Sequence, residues 1–314
     1  MRQNRNTIYF NAGLGNQLFQ FAYSHLIYRE CQNKVPYMQD ELHRQDRPFE
    51  LKGLIKECSH LVENHAKPNI ITNYYRRLMS RIFRFKIFQH VINSYRSDFL
   101  GVEINPFRDR KIQINRIVPK LHMGYFQHWN LVEKSWVLFS KELLIYLQEE
   151  ISLGDFEINM DDYILIHVRR GDLINQLDSM GALSAEYYLN GLKKIENNQS
   201  KKLIVVTDDL TGAQDVIKVL NPELVYGPLD LNPWQTLKLM SSSSNFICAN
   251  STLSWWGAYL STKINKNSHC IIPDPWLKNW PQAVGEAFAY SRFIKNDSIF
   301  LQNVRIPTDF KYTS

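Results

Sequence analysis

The chain has 314 residues, 44% hydrophobic and 13% aromatic, enough to bury a full core and long enough for two domains of ordinary size, so it reads as globular. Lys and Arg number 37 against 31 acidic residues, a net charge of +6 and a pI near 9.0, which suits an anionic substrate, nucleic acid or a membrane surface without choosing among them. Cys31, Cys58, Cys248 and Cys270 form no CxxC pair, which indicates neither a zinc site nor a disulfide framework, and no apolar run approaches the roughly 20 residues that span a bilayer.

In chain order, "TIYFNA" predicts a strand, "GLGN" a turn and "QLFQFAYSHLIYRECQ" a helix whose apolar residues recur at spacings of three and four. Beyond "VPYM" the pattern weakens, and residues 40–120 are irregular and rich in charge. A helical run, Asn130 to Ile151, leads into the polar segment "SLGDFEINMDD", read as an interdomain linker around Gly154. This gives domains 1–155 and 156–314. From about residue 160 short β-rich runs alternate with helical patterns, from "YILIHV" through "KLIVVT", "LVYG" and "NFICAN" to "HCIIP". Such a βαβ series predicts a parallel sheet with helices on both faces, an α/β fold.

Four polar junctions carry the candidate chemistry. In "NAGLGNQ", Gly13, Gly15 and Asn16 stand directly before a helix, where backbone N–H groups can approach a ligand, although the third glycine of a dinucleotide fingerprint and the Lys-Ser/Thr of a P-loop are both missing. An ordinary strand-to-helix turn explains the same residues. "HVRRGD" sets His167, Arg169, Arg170 and Asp172 at a strand end; either one arginine pairs with Asp172 and the other is solvated, or a guanidinium forks onto phosphate oxygens. A regular strand would send Arg169 and Arg170 to opposite faces. "VTDDL" offers Asp208 and Asp209 as metal, ribose or guanine contacts or as helix caps. In "CANSTLSWW", Asn250, Ser251, Thr252 and Ser254 lie at a helix N-terminus, where capping and phosphate binding use the same geometry. Trp255 and Trp256 are read as core, and Tyr125, Trp129 and Trp234 lie near the motifs as possible sugar-stacking surfaces.

In "YYRRLMSRIFRFKIF" (Tyr74 to Phe88), Tyr75, Leu78, Met79, Ile82 and Phe83 share one helical stripe with Arg77, Arg81 and Arg84 beside it. The run suits either a helix packed on its own domain or one lying on an anionic membrane. The whole chain is therefore expected to be cytoplasmic, at most peripheral to the inner face of a membrane.

Taken together and in order, "GLGNQLFQFA" (Gly13 to Ala22), "GYFQ" (Gly124 to Gln127), "HVRRGD", "AEYYLNGLKKI" (Ala185 to Ile195), "TDD" (Thr207 to Asp209), "LMS" (Leu239 to Ser241) and "ANSTLSWWGAYL" (Ala249 to Leu260) resemble the bacterial α-1,2-fucosyltransferases of glycosyltransferase family eleven. The resemblance implies a GT-B architecture of two Rossmann-like domains with parallel sheets facing a cleft, acceptor side first, GDP-fucose side second, and a last helix returning to the first domain. It implies Arg169 and Arg170 on the diphosphate with Asp172 bracing them, and His167 near the guanine or the fucosyl-phosphate. Ser251, Thr252 and Ser254 match a hydroxyl-rich loop facing the β-phosphate; Gly13, Gly15 and Asn16 match a loop closing over the donor. Gln235 and Thr236 stand where family members commonly carry an acidic residue before "LMS", so Asp208 or Asp209 becomes the candidate guanine contact. No Asp-x-Asp triplet is present, and the expected reaction uses no cofactor or divalent metal. The expected partners are GDP-fucose and a glycan acceptor, lipid-linked where the membrane reading holds, and no nucleic acid. Asp40, Glu41 and His43 are base candidates. Rival readings are fucosyl transfer in an α-1,6 or α-1,3 linkage and a polyanion-binding protein without catalysis.

Overall fold

The first strand, β1 (Asn6–Phe10), is almost wholly buried, as a parallel strand covered on both faces must be. The structure is a computed structural model that describes residues 6–39, 48–58, 60–63, 102–104, 120–154, 158–196, 198–280 and 282–302. The chain divides into two compact units, Met1–Leu143 and Leu144–Ser314. The segment around Gly154 thus falls in the second unit, and the terminal residues from 303 on lie outside the described ones.

In the first unit β1 is followed by α1 (Leu14–Cys31), β2 (Val35–Gln39), α2 (Lys52–Lys56), β3 (Leu61–Glu63), β4 (Val102–Ile104), β5 (Lys120–Met123) and α3 (Trp129–Ile145), which runs on as a wider π-helical turn, Tyr146–Glu150. The sheet has the order β3-β2-β1-β5-β4, with every pairing parallel. Helix α1 is buried along its first four turns, polar residues included, so Gln17, Gln20, Ser24 and His25 must all find partners inside.

The second unit contains β6 (Tyr163–Val168), α4 (Ala185–Leu192), β7 (Lys202–Thr207), α5 (Gln214–Leu220), β8 (Leu224–Tyr226), α6 (Pro233–Ser242), β9 (Asn245–Ile247), α7 (Thr252–Ile264), β10 (His269–Asp274), α8 (Gln282–Phe288) and β11 (Ile294–Asp297). Its order is β11-β10-β9-β6-β7-β8, again parallel throughout. The core gathers Ile164, Ile166 and Val168 of β6 with Val205, Ile247 and Ile271 and, from α4, Tyr187 and Tyr188. Trp255 and Trp256 are fully buried, so these two are core as read from the sequence, with the Trp255 indole N–H donating to Phe288 O at 2.9 Å. The four cysteines are free thiols. Among the described residues no helix is long and apolar enough to cross a membrane.

The α/β class expected from the sequence is what forms, twice over. In each sheet the chain adds strands on one side of the first strand and then crosses to the other. The reversal lies between β1 and β5 in the first unit and between β6 and β9 in the second. Open α/β sheets bind ligands outside the carboxyl ends of the strands at that point.

Candidate functional site

In the second unit the strand β6 ends at Val168, and the two arginines that follow part company. Arg170 turns inward and is fully buried: Nε donates to Gly212 O at 3.0 Å, Nη1 to Arg169 O at 3.3 Å, and Nη2 to both Asp215 oxygens at 3.2 and 3.1 Å. Arg169 turns outward with its side chain 20% exposed, Nη1 at 3.0 Å from Asp208 Oδ2 and Nη2 at 2.5 Å from Asp172 Oδ1. A guanidinium has five N–H donors, so Arg169 keeps several beyond these two pairs.

Asp208 occupies the end of β7, the neighbour of β6. Its Oδ1 accepts the backbone N–H of Arg170 at 2.8 Å and of Gly171 at 3.3 Å, while Oδ2 holds Arg169. Both oxygens are committed to shaping the turn. This explains the glycine of "RRGD", because a Cβ at Gly171 would run into the Asp208 carboxylate. Gly212 is constrained in the same way: a Cβ there would stand 2.6 Å from Asp209 Oδ2 and 3.0 Å from Arg170 Cβ. Asp209 itself accepts the Gly212 N–H at 3.0 Å, a turn-closing role.

His167, the last but one residue of β6, is buried with no partner for Nδ1. Burial, reinforced by the positive charge of Arg169, pushes its pKa down to about 3, so the imidazole is neutral.

Across the reversal, β9 runs into α7. Asn250 is buried and donates to Gly181 O at 2.8 Å, and Ser254 Oγ accepts the Ala249 N–H at 3.1 Å; both hold the loop in shape. Ser251 is the N-cap residue of this 13-residue helix, yet its side chain makes no cap hydrogen bond. The first-turn N–H groups thus lack a side-chain cap, and the half-buried hydroxyls of Ser251 and Thr252 stand at the same helix start, a combination suited to an anion. Strand pairing sets β9 directly beside β6, Leu165 against Phe246 and Ile166 against Ile247, so this helix start and Arg169 leave the same edge of adjacent strands.

Charge bookkeeping shows why the helix matters. Arg169 and Arg170 face Asp172, Asp208 and Asp215, leaving the strand end one negative charge in excess. An anion held there must draw on the α7 terminus or displace a carboxylate. Asp172, 48% exposed, is the one placed to yield.

In the first unit the motif loops also meet at the reversal. Asn16 Oδ1 accepts from Gln127 Nε2 at 2.5 Å, and Gln20 Nε2 donates to Asn11 Oδ1 at 2.5 Å and to Gly124 O at 2.9 Å, its Oε1 receiving the Asn11 N–H at 3.1 Å. Gly13 is the N-cap residue of α1, and Gly15 lies buried in its first turn. Gln17 pins Ala12 O and Pro48 O. "GLGNQ" and "GYFQ" are therefore one hydrogen-bonded structure.

Gln235 completes a capping box on α6 and also donates to Ser152 O at 3.0 Å, and Thr236 is buried. Asp40, Glu41 and His43, and the run Tyr74 to Phe88, lie outside the described residues. Sequence reasoning missed Asp215 and the Gly212 carbonyl as the anchors of Arg170. The only signal was an acidic residue in the first turn of a helix, an ordinary dipole-matching position.

Two consecutive parallel-sheet units, each with polar loops at the carboxyl edge where strand order reverses, have the α/β architecture of the GT-B glycosyltransferases. The family model described as glycosyl transferase family 11 matches residues 84–275, and the chain belongs to that family. Its relatives include the O-antigen biosynthesis glycosyltransferase WbnK of Escherichia coli, 26% identical over 303 residues, covering 85% of this chain and 93% of that one. They also include an alpha-1,2-colitosyltransferase of Escherichia coli, 23% identical over 288 residues, covering 85% and 90%. Among solved structures, the fucosyltransferase NodZ from Bradyrhizobium aligns with a TM-score of 0.47 at 11% identity, over 82% of this chain and 94% of that one.

Proposed function

We propose that this glycosyltransferase moves L-fucose from GDP-β-L-fucose to the 2-hydroxyl of a terminal β-galactosyl acceptor, forming an α-1,2 linkage with inversion and without a divalent metal. The observation that carries the reading is the pairing of a half-available guanidinium, Arg169, with the uncapped start of α7 on adjacent strand ends of a family 11 chain. Attack by the acceptor oxygen on the face of C1 opposite GDP forms one C–O bond as the bond from C1 to the phosphate oxygen breaks. The acceptor proton leaves with a base or solvent. Positive charge grows on the ring and negative charge on the β-phosphate.

In this scheme the phosphate displaces Asp172 from Arg169, while Asp208 keeps the guanidinium aimed. The α7 N–H groups with Ser251 and Thr252 take the remaining charge. Arg170, with Asp215 and Gly212, is the buried footing of the turn, and Asn250 and Ser254 hold the opposite loop. Neutral His167 borders the donor. Asp208 has both oxygens engaged in the turn, whereas Asp209 binds Gly212 through Oδ1 alone, which favours Asp209 of the two as the guanine contact.

The α-1,2 linkage is supported by the colitosyl relative, and a role in O-antigen assembly by the WbnK relative. The colitosyl relative also supports one second reading, a colitosyl donor, colitose being L-fucose without its 3-hydroxyl.

The test is transfer from GDP-fucose to a β-galactoside in EDTA, with the product linkage read by NMR. Wild type is expected to form the α-1,2 product, and Arg169→Ala to lose about 10²–10³ in kcat, the typical cost of one preorganised contact to developing negative charge. An Arg169→Ala enzyme of wild-type rate, or a wild type that accepts only the 3-deoxy donor, would overturn the assignment.

A further inference from the structure

We propose that the first unit holds a transition-metal site, built for Zn²⁺, from His25, Cys58 and His60. One nitrogen of each imidazole and the Cys58 sulfur lie within 4.8 Å of one another, and all three residues are buried. The two rings are in contact, with centroids 3.7 Å apart. Cys58 and His60 lie two residues apart in the connection between α2 and β3, and His25 comes from α1, more than thirty positions earlier, so the cluster follows no CxxC spacing.

The hydrogen bonds around the cluster are those that metal-bound histidines require. His25 Nδ1 faces Phe21 O at 3.0 Å; a carbonyl only accepts, so Nδ1 carries the proton and Nε2 keeps a lone pair. Ser24 Oγ gives its proton to Phe21 O at 2.7 Å, so its oxygen is the acceptor for His60 Nε2 at 3.4 Å, and His60 Nδ1 keeps a lone pair. Each ring is thus oriented by an outer partner on its far nitrogen, as ligating histidines are. Two imidazoles and one thiolate suit Zn²⁺, with water in the fourth position.

The fit needs little movement. Zinc bonds of about 2.0–2.3 Å place tetrahedral nitrogen and sulfur donors roughly 3.3–3.6 Å apart, so separations of at most 4.8 Å need shrink by no more than about 1.5 Å. Coordination replaces the thiol proton: as the Zn–S bond forms, Cys58 releases its hydrogen to solvent. The Tyr28 ring packed against His60 is itself exposed. A bound ion would staple the α2–β3 connection onto α1. The site belongs to the first unit and Arg169 to the second.

The test is titration of the full chain, stripped of metal by a chelator, with Co²⁺ and then Zn²⁺. Wild type should take one equivalent of cobalt with a thiolate-to-cobalt charge-transfer band and intense tetrahedral d–d absorption. Zinc should abolish both and raise the melting temperature. Cys58→Ser should lose the charge-transfer band and Cys31→Ser should keep it, while Ser24→Ala should weaken zinc binding roughly 10–100-fold, as loss of an outer partner does. A wild type without the band, or Cys58→Ser or Ser24→Ala with wild-type affinity, overturns the proposal. None of these readouts requires turnover, so the result is independent of the donor assignment.

Discussion

At the scale of single residues, the divergence of Arg169 and Arg170 was foreseeable from strand alternation, but which one turns inward was not. That depended on Asp215 and the Gly212 carbonyl, more than forty positions downstream, being folded under the turn. Complete burial of a guanidinium is tolerable only with this set of acceptors. His167 is the third member of the turn, and its cost is pH-dependent. Its folded pKa of about 3 lies below the unfolded value near 6.5, so as pH falls the unfolded chain takes up the proton first. The contribution is flat above about pH 6.5 and is lost between that pH and 3, at about 1.4 kcal/mol per pH unit. Replacing His167 by Gln should therefore flatten part of the fall in unfolding free energy between pH 6.5 and 5, measured by urea denaturation. An unchanged slope would mean that His167 is protonated in the folded protein.

At the scale of elements, the βαβ series after residue 160 was legible because each strand is a continuous apolar run ending in polar residues. β11, "IKND", was not, since a single isoleucine carries no period. In the first half the motif residues were legible but their pairing was not. Gln17 and Gln20 look like surface positions of an amphipathic helix, and only burial of α1 on nearly all sides reveals them as internal ties, Gln17 to Ala12, Pro48 and Glu50 and Gln20 between the loops after β1 and β5. Gln20 is fully buried and makes three hydrogen bonds, to Asn11 N, Asn11 Oδ1 and Gly124 O. Gln20→Ala should leave at least one of these groups unsatisfied and cost about 1–3 kcal/mol in denaturant unfolding. A stable variant with unaltered unfolding would show that water replaces Gln20 at no cost.

At the scale of the whole molecule, the basic pI says nothing about the polar end of β6, where carboxylates outnumber guanidiniums. The positive charge is elsewhere. Residues 64–119 contain 11 Lys and Arg against 3 acidic residues, a net +8 that exceeds the +6 of the entire chain, so the remainder is slightly acidic. A polyanion-binding protein would spread its charge over a face and use it wherever it binds. Here one segment holds the whole excess, and within it "YYRRLMSRIFRFKIF" alternates arginines with large apolar residues at helical spacing. That composition is suited to an anionic membrane surface, each cation near it contributing about 1 kcal/mol at low salt. A lipid-linked acceptor would be found at the same surface. The expectation is that the protein sediments with anionic vesicles and not with neutral ones, that binding weakens steeply as salt is raised, and that Arg77→Glu, Arg81→Glu and Arg84→Glu together abolish it. Transfer to a water-soluble galactoside should survive the triple change, because the donor contacts proposed above, Arg169 and the start of α7, include none of these arginines. Sedimentation of the triple variant at the wild-type level would confine the basic run to packing within its own domain.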